Sequence, residues 1–225
     1  MILFFDLDGP ILDVSEKYYR AYADSMRSLG CTFLAKNDYW NLKRSKVPDE
    51  EILRKTSGQH LVGRYQALRN GCIETDPYLA LDTVWKELYE TYDMVFRMHN
   101  AVLVTLRTYP EKVIQELNDL DIAQWFTRVL VCMGDHSLKW QTKAATVREL
   151  EILDSENVRE CIFVGDTETD ILAGKELGMT TIGVAFGIRT PEIIERAGPD
   201  MIFDDPDEFS RYLSREFLDH HRILS

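Results

Sequence analysis

Residues 1–13 read Met1-Ile2-Leu3-Phe4-Phe5-Asp6-Leu7-Asp8-Gly9-Pro10-Ile11-Leu12-Asp13. Four apolar residues, Ile2 to Phe5, run straight into two acids one residue apart. Side chains alternate along an extended chain, so Asp6 and Asp8 fall on one side and Leu7 on the other. Two like charges held that close repel each other. Either one carboxyl keeps its proton, or a cation sits between them. A buried strand that ends in such a pair is a reason to look for partners further along the chain.

The rest of the chain supplies the setting. After residue 100, short apolar runs alternate with amphipathic stretches. Ala101 to Leu106 (AVLVTL), Arg128 to Cys132, Cys161 to Val164, Thr180 to Val184 and Met201 to Phe203 read as strands. Between them, Pro110 to Leu120, Thr142 to Leu153, Glu168 to Leu177 and Pro191 to Ala197 read as helices. Pro110 suits a first helical turn, and Gly178 closes the helix before it. Continuous apolar strands alternating with helices predict an α/β fold, a doubly wound parallel sheet covered on both faces.

Residues 15–98 have a different character. Ser15 is a candidate N-cap for a helix carrying Tyr18, Tyr22, Met26 and Leu29 on one stripe. Further helices are predicted near 48–56, 60–70 and 77–97. Four helices are too many for a simple crossover, so this segment is predicted to be an all-helical insert. The expected division is 1–14 with 99–225 as the core, and 15–98 as the insert.

Composition narrows the function. The chain has 225 residues, of which 45% are hydrophobic, enough for a sizeable core. Its formal net charge is −12, which argues against nucleic acid and an anionic membrane surface as partners. The opening apolar run is cut off by Asp6 too early for a signal peptide, and nothing reads as a membrane span. Cys31, Cys72, Cys132 and Cys161 have neither zinc nor disulfide spacing, and Cys132 and Cys161 lie in apolar runs. The expectation is a reduced, cytoplasmic protein. The oligomeric state is left open.

In a sheet of this kind ligands bind at the carboxyl ends of the strands. Asp6 and Asp8 follow the first run, Thr105 lies near the end of the second, and Gly165-Asp166-Thr167-Glu168-Thr169-Asp170 follows CIFV. Lys139 and Lys143 precede that last motif near a helix start. Asp6 and Asp166 can ligate a hard cation such as Mg²⁺. A carboxylate can attack phosphorus, a second can serve as acid and base, and a lysine can balance the charge on a phosphoryl group.

These motifs in this order resemble the haloacid dehalogenase superfamily, and residues 181–209 resemble its phosphoglycolate phosphatase-like branch. The resemblance covers residues 1–13 and about 100–210. It implies a Rossmann-like core whose helical insert is a cap. It implies a Mg²⁺-dependent phosphatase acting on a small phosphorylated metabolite through an aspartyl-phosphate. Asp6 would be the nucleophile and a metal ligand. Asp8 would be the general acid/base, with its backbone carbonyl on the metal. Thr105 and Lys143 would bind the phosphoryl group, Asp166 would be the third protein ligand to the metal, and Asp170 would orient water or the lysine. The chain departs from the family's pattern at Pro10, where Thr or Val is usual. It also departs at Leu106-Arg107, where a small polar residue often follows the threonine, and at Trp140, which replaces the proline of a Lys-Pro signature.

Other readings use the same residues. A phosphosugar mutase could share both aspartates and the cap. Carbon–halogen hydrolysis gains nothing from Asp8. A receiver module would carry its lysine last. A phosphatase-like protein that only binds a partner would not need the full set. Elsewhere the plainer reading is preferred. Tyr18, Tyr19 and Tyr22 are expected to pack the insert, and Glu168 and Thr169 to serve the helix start. Asp204 to Asp207 should form a turn leading into a helix. Arg44, Arg64 and the five histidines should lie on the surface or make ordinary contacts, with His136 the one histidine near the site.

Overall fold

The structure is a computed structural model and describes residues 1–56, 58–133, 139–150, 153 and 158–218. The strands are β1 (Ile2–Phe5), β2 (Leu12–Asp13), β3 (Thr83–Val84), β4 (Asn100–Thr105), β5 (Arg128–Val131), β6 (Ile162–Gly165), β7 (Thr180–Val184) and β8 (Met201–Phe203). The helices are α1 (Ser15–Ser28), α2 (Lys36–Arg44), α3 (Asp49–Arg54), α4 (Val62–Cys72), α5 (Asp76–Leu79), α6 (Tyr89–Met98), α7 (Pro110–Asp119), α8 (Lys139–Arg148), α9 (Glu168–Leu177), α10 (Pro191–Ala197) and α11 (Pro206–Phe217).

Six strands form one parallel sheet in the order β5-β4-β1-β6-β7-β8. The chain starts in the middle, builds outward to β5, then crosses back to β6 on the other side of β1. That reversal makes the carboxyl end of β1 the topological switch point, where such sheets open a crevice. In register, Phe5 lies opposite Leu103 on one side and Val164 on the other. Asp6, Thr105 and Asp166 therefore leave the sheet along one edge.

Alternation along β1 divides the core. Leu3 and Phe5 join Leu103, Val164, Ile182 and Val184 on one face, packed with residues of α6, α7 and α11. Phe4 joins Val102, Val104, Phe163 and Met179 on the other, together with Cys132, Cys161 and Val147. Both cysteines are thus core residues. Every strand residue from Leu3 to Phe5 is at most 1% exposed, as a sheet covered on two faces requires.

A third apolar cluster lies wholly within residues 18–65. Tyr22, Ala23, Met26, Tyr39, Ile52, Leu53 and Tyr65 form it, with Tyr18 and Tyr19 at its border. Tyr22 and Tyr39 stack at 4.1 Å with their planes 7° apart. The chain leaves the sheet through β2 and returns through β3, and these two strands pair antiparallel, Leu12 with Val84 and Asp13 with Thr83. Helix α6 follows that return and does not pack with the third cluster. Its Tyr92, Val95 and Phe96 are buried against the sheet with Phe5 and Trp125.

Several boundaries differ from the sequence reading. The helix predicted over 77–97 is two helices, α5 and α6, separated by β3. Helix α2 was not predicted; it is short, and Tyr39 is its one fully buried residue. Ser15 is the first helical residue, and Asp13 Oδ1 accepts its N–H at 2.9 Å in the capping role. Helix α8 starts at Lys139, three residues before the predicted Thr142, because Lys, Trp and Gln extend a helix readily. Gly178 closes α9 with φ +79°, and Asp205 caps α11 by accepting from Glu208 N at 2.9 Å, both as expected. No helix among the described residues is long and apolar enough to cross a membrane.

Candidate active site

The carboxyl ends of β1, β4 and β6 enclose a cavity of about 240 Å³ whose lining includes Asp6, Asp8, Thr105, Arg107, Lys143 and Arg189. Backbone hydrogen bonding carries Asp6 past the strand end, its N–H donating to Val164 O at 3.0 Å. Lys143, in the second turn of α8, is 1% exposed. Its Nζ donates to Asp6 Oδ1 at 2.7 Å and to Asp170 Oδ1 at 2.5 Å. Asp170 is fixed in turn, since its Oδ2 accepts from Thr167 N at 3.0 Å and from Thr167 Oγ1 at 2.7 Å. Thr167 and Asp170 together make the capping box that starts α9. Glu168, the first residue of α9, also takes a backbone hydrogen bond at the helix start, as expected, and pairs with Lys46 at 2.5 Å and Arg189 at 3.0 Å.

Electrostatics follow from burial. Burial raises the Asp6 carboxyl to about 7 against the pull of Lys143. Burial would depress Lys143, but Asp170 and Asp6 outweigh it and hold the ammonium above its ordinary range. Burial, with Asp6 and Asp170 nearby, pushes Asp166 well above the usual carboxylate range. Three acids crowded in this way call for more positive charge than one lysine supplies.

A hard divalent cation fits that demand. Carboxylate oxygens of Asp6, Asp166 and Asp170 all lie within 4.8 Å of one another. Asp166 is wholly buried; Ile188 N–H donates to its Oδ2, while Oδ1 has no partner. Gly9, at φ +106°, makes room for it, because a Cβ there would lie 1.8 Å from Asp166 Oδ2. All-oxygen donors of this kind suit Mg²⁺.

Asp8 points elsewhere. Its carboxylate is gripped by Arg107, whose Nε donates to Oδ2 at 2.9 Å while a terminal nitrogen donates to Oδ1. Lys17 Nζ lies 3.5 Å from Oδ1. Burial would raise this carboxyl, but Arg107 and Lys17 outweigh it and hold it well below the ordinary range. Asp6 and Asp8 thus line one cavity, yet each carboxylate has its own cationic partner. Arg107 N also donates to Thr105 Oγ1 at 3.3 Å.

Residues 15–82 contribute to the same cavity. Tyr18 of α1, Lys43 of α2 and Glu74 line it beside the strand-end residues. Lys43 lies over the Tyr18 ring, 5.0 Å from its centroid, and burial together with nearby Arg69 and Arg189 lowers it to about 8. Tyr18 therefore does more than pack the insert. Arg44, expected on the surface, crosses to the sheet side, where it donates to Ala185 O and, at 3.1 Å, to Arg189 O. Arg64 is exposed, as expected. Glu74 accepts from Thr108 N at 2.8 Å and from Thr108 Oγ1 at 3.1 Å.

Comparison with known proteins agrees with this geometry. The family profile described as HAD-hydrolase-like matches residues 139–209, which hold Lys143, Asp166 and Asp170. The phosphoglycolate phosphatase of Vibrio parahaemolyticus is 26% identical over 223 residues, spanning 92% of this chain and 93% of its own. Over these residues the chain is similar to the haloacid dehalogenase-like hydrolases. The phosphoglycolate phosphatase of Salmonella typhi is 30% identical over 110 residues, 48% of this chain and 42% of its own length. The fold is also that of a haloacid dehalogenase-like family hydrolase from Streptococcus pneumoniae, at a TM-score of 0.72 and 16% identity, covering 94% of this chain and 97% of the other.

Within the haloacid dehalogenase-like frame, the sequence motifs and the cavity coincide at Asp6, Asp8, Thr105 and Lys143, with Asp166 and Asp170 directly behind them. Sequence reasoning missed Lys17, Asp82 and Glu116, and it noted Arg107 only as a departure. A signal existed for Glu116. It sits with Val113 and Leu117 on the buried stripe of α7, where a charge is out of place. His60 is exposed, and His99 reaches Phe217 O at 3.1 Å. His136, His220 and His221 lie outside the described residues.

Proposed function

We propose that the chain is a Mg²⁺-dependent phosphatase that hydrolyses a small phosphorylated metabolite through an aspartyl-phosphate on Asp6. The observation that carries the reading is the meeting of Asp6, Asp8, Thr105 and Lys143 in one cavity, backed by the buried and half-unpartnered Asp166. Asp6 and Asp166, with the backbone carbonyl of Asp8, would hold Mg²⁺. Bound there, the cation would supply Lewis-acid charge that keeps Asp6 ionised and offsets the phosphoryl negative charge. Asp6 attacks phosphorus and the bond to the leaving oxygen breaks. Asp8, held ionised by Arg107 and Lys17, passes the proton of the incoming phosphate monoanion to that oxygen, then takes one from the water that cleaves the acyl phosphate. Thr105 and Lys143 donate to phosphoryl oxygens, and Asp170 holds Lys143 in place. Names of the relatives make phosphoglycolate the first substrate to try.

The test is phosphate release from phosphoglycolate and from an aryl phosphate, with and without chelator. Turnover is expected only with the divalent cation and should return on adding Mg²⁺. Equal rates after complete metal removal would overturn the mechanism. Free phosphate as the product, rather than an isomerised phosphosugar, separates hydrolysis from the mutase reading.

Residues 15–82 are read as the cap that closes on the site and selects the leaving group. Its junctions are placed at the paired strands β2 and β3, ahead of residue 98, because α6 packs on the sheet. Replacing residues 15–82 by a tight turn between β2 and β3 should leave a soluble core that still cleaves an aryl phosphate. Selectivity among natural substrates should collapse. A core that does not fold would show that the insert is part of the main structure.

A further inference from the structure

Arg107 is 5% exposed and meets three carboxylates. Besides its two-pronged grip on Asp8, it donates to Asp82 Oδ2 at 3.0 Å and lies 3.3 Å from Glu116 Oε2. Lys17 joins the same group, bonded to Asp82 and 3.5 Å from Asp8. The five residues come from five places: the loop after β1, helix α1, the residue before β3, the loop after β4, and α7. Asp82 and Lys17 are at most 2% exposed and Glu116 is 4% exposed.

A cluster of this kind is a poor way to gain stability. Replacing a buried ion pair by apolar groups is often neutral or stabilising. Here the two carboxyls behind the fork, Asp82 and Glu116, are crowded together, and burial raises Glu116 to about 8. What the cluster does deliver is direction. A guanidinium fork accepts a carboxylate in one plane and at one angle, which an ammonium cannot impose. Asp82 and Glu116 hold the fork from behind, so it cannot follow Asp8 if Asp8 turns. The backbone N–H of the same residue occupies a lone pair of Thr105 Oγ1, leaving the hydroxyl proton for an outside acceptor.

We propose that Arg107 is a positioning residue, which aims the carboxylate of Asp8 at the reacting group and, through Lys17 and Asp82, makes that aim depend on how α1 is seated. This rests on the acid/base reading of Asp8 given above. The position lies outside the sequence motifs that mark the site.

The test is a double-mutant cycle on an aryl phosphate with Mg²⁺, using Arg107→Met, Asp8→Asn and the pair. Arg107→Met should lower kcat about 100-fold, within the range of acid/base help, and move KM by less than about threefold. In the Asp8→Asn background the same change should cost less than about threefold, because the aimed group is already lost. Arg107→Lys should recover part of kcat, and it carries the test if Arg107→Met does not fold. Additive losses, or a kcat in Arg107→Met close to that of the parent, would overturn the proposal. A second arm needs no turnover. Crystals of the parent and of Arg107→Lys should differ in the Asp8 carboxylate by about 1 Å or more, a shift large enough to matter for catalysis. Coincident carboxylates would overturn the inference. A parent protein without phosphatase activity would refute the proposed function, and the crystallographic arm would still decide the role of Arg107.

Discussion

Asp6→Asn is expected to abolish turnover, with a loss of at least about 10⁴-fold, as for other nucleophiles that act as part of a unit. The amide has nearly the shape of the carboxylate but neither attacks phosphorus nor ligates a cation well. It should be tolerated by the fold. Asp6 sits at a strand end whose backbone pairing through Val164 O does not involve the side chain. Lys143 keeps Asp170 as its partner at 2.5 Å, so the ammonium is not stranded. Asp8→Asn should cost less, about 10²–10⁴-fold, since it removes acid/base help while leaving the nucleophile. Thermal unfolding would confirm that both variants fold. Rapid quench with intact-mass measurement should find a phosphoryl adduct in the parent and none in Asp6→Asn. Parental rates in a well-folded Asp6→Asn protein would move the nucleophile elsewhere.

The readable and the hidden parts of this site differ in a physical way. A parallel sheet buried on both faces writes itself as continuous apolar runs, so β1, β4, β5, β6 and β7 are legible to within one residue at each end. The candidate acids stand immediately after those runs, and the topology then brings their ends together without further information. The two-residue strands β2 and β3 leave no periodicity to read, so the sequence reading carries the insert to residue 98, whereas the cap proposed above ends at residue 82. The Arg107 cluster was hidden for another reason. Its bonded pairs are 9 to 99 residues apart, and only the tertiary fold makes neighbours of Lys17, Asp82 and Asp8. The opening question about two acids on one side also needed the fold. The two carboxylates share a cavity, but their separate cations come from different elements, Lys143 from helix α8 and Arg107 from the loop after β4.

Lys143→Ala should cut turnover by about 10²–10³-fold or more, the usual cost of removing a donor aimed at developing charge. Lys139→Ala should be mild. Both lysines line the cavity, and the sequence reading prefers Lys143. Helix α8 separates them. Lys139 is its first residue and exposed, so its ammonium is largely hydrated. Lys143 lies one turn further in and is buried between Asp6 at 2.7 Å and Asp170 at 2.5 Å. An ammonium near a helix N-terminus works against the helix dipole, and here the two carboxylates outweigh that cost. Removing it leaves Asp6, Asp166 and Asp170 facing one another with no lysine between them. Breaking a buried pair in this way destabilises by about 3–5 kcal/mol, so Tm should fall as well. Added Mg²⁺ should restore part of the Tm of Lys143→Ala, because a cation on the same carboxylates relieves their repulsion. It should restore little of kcat, because the lost donor to the phosphoryl oxygen is not replaced. Rates of both variants under saturating Mg²⁺, in protein shown to be folded, decide the matter. If Lys139→Ala were the crippled variant, the lysine that binds the phosphoryl group would be Lys139, and the Lys143–Asp170 pair would be a structural prop for α9.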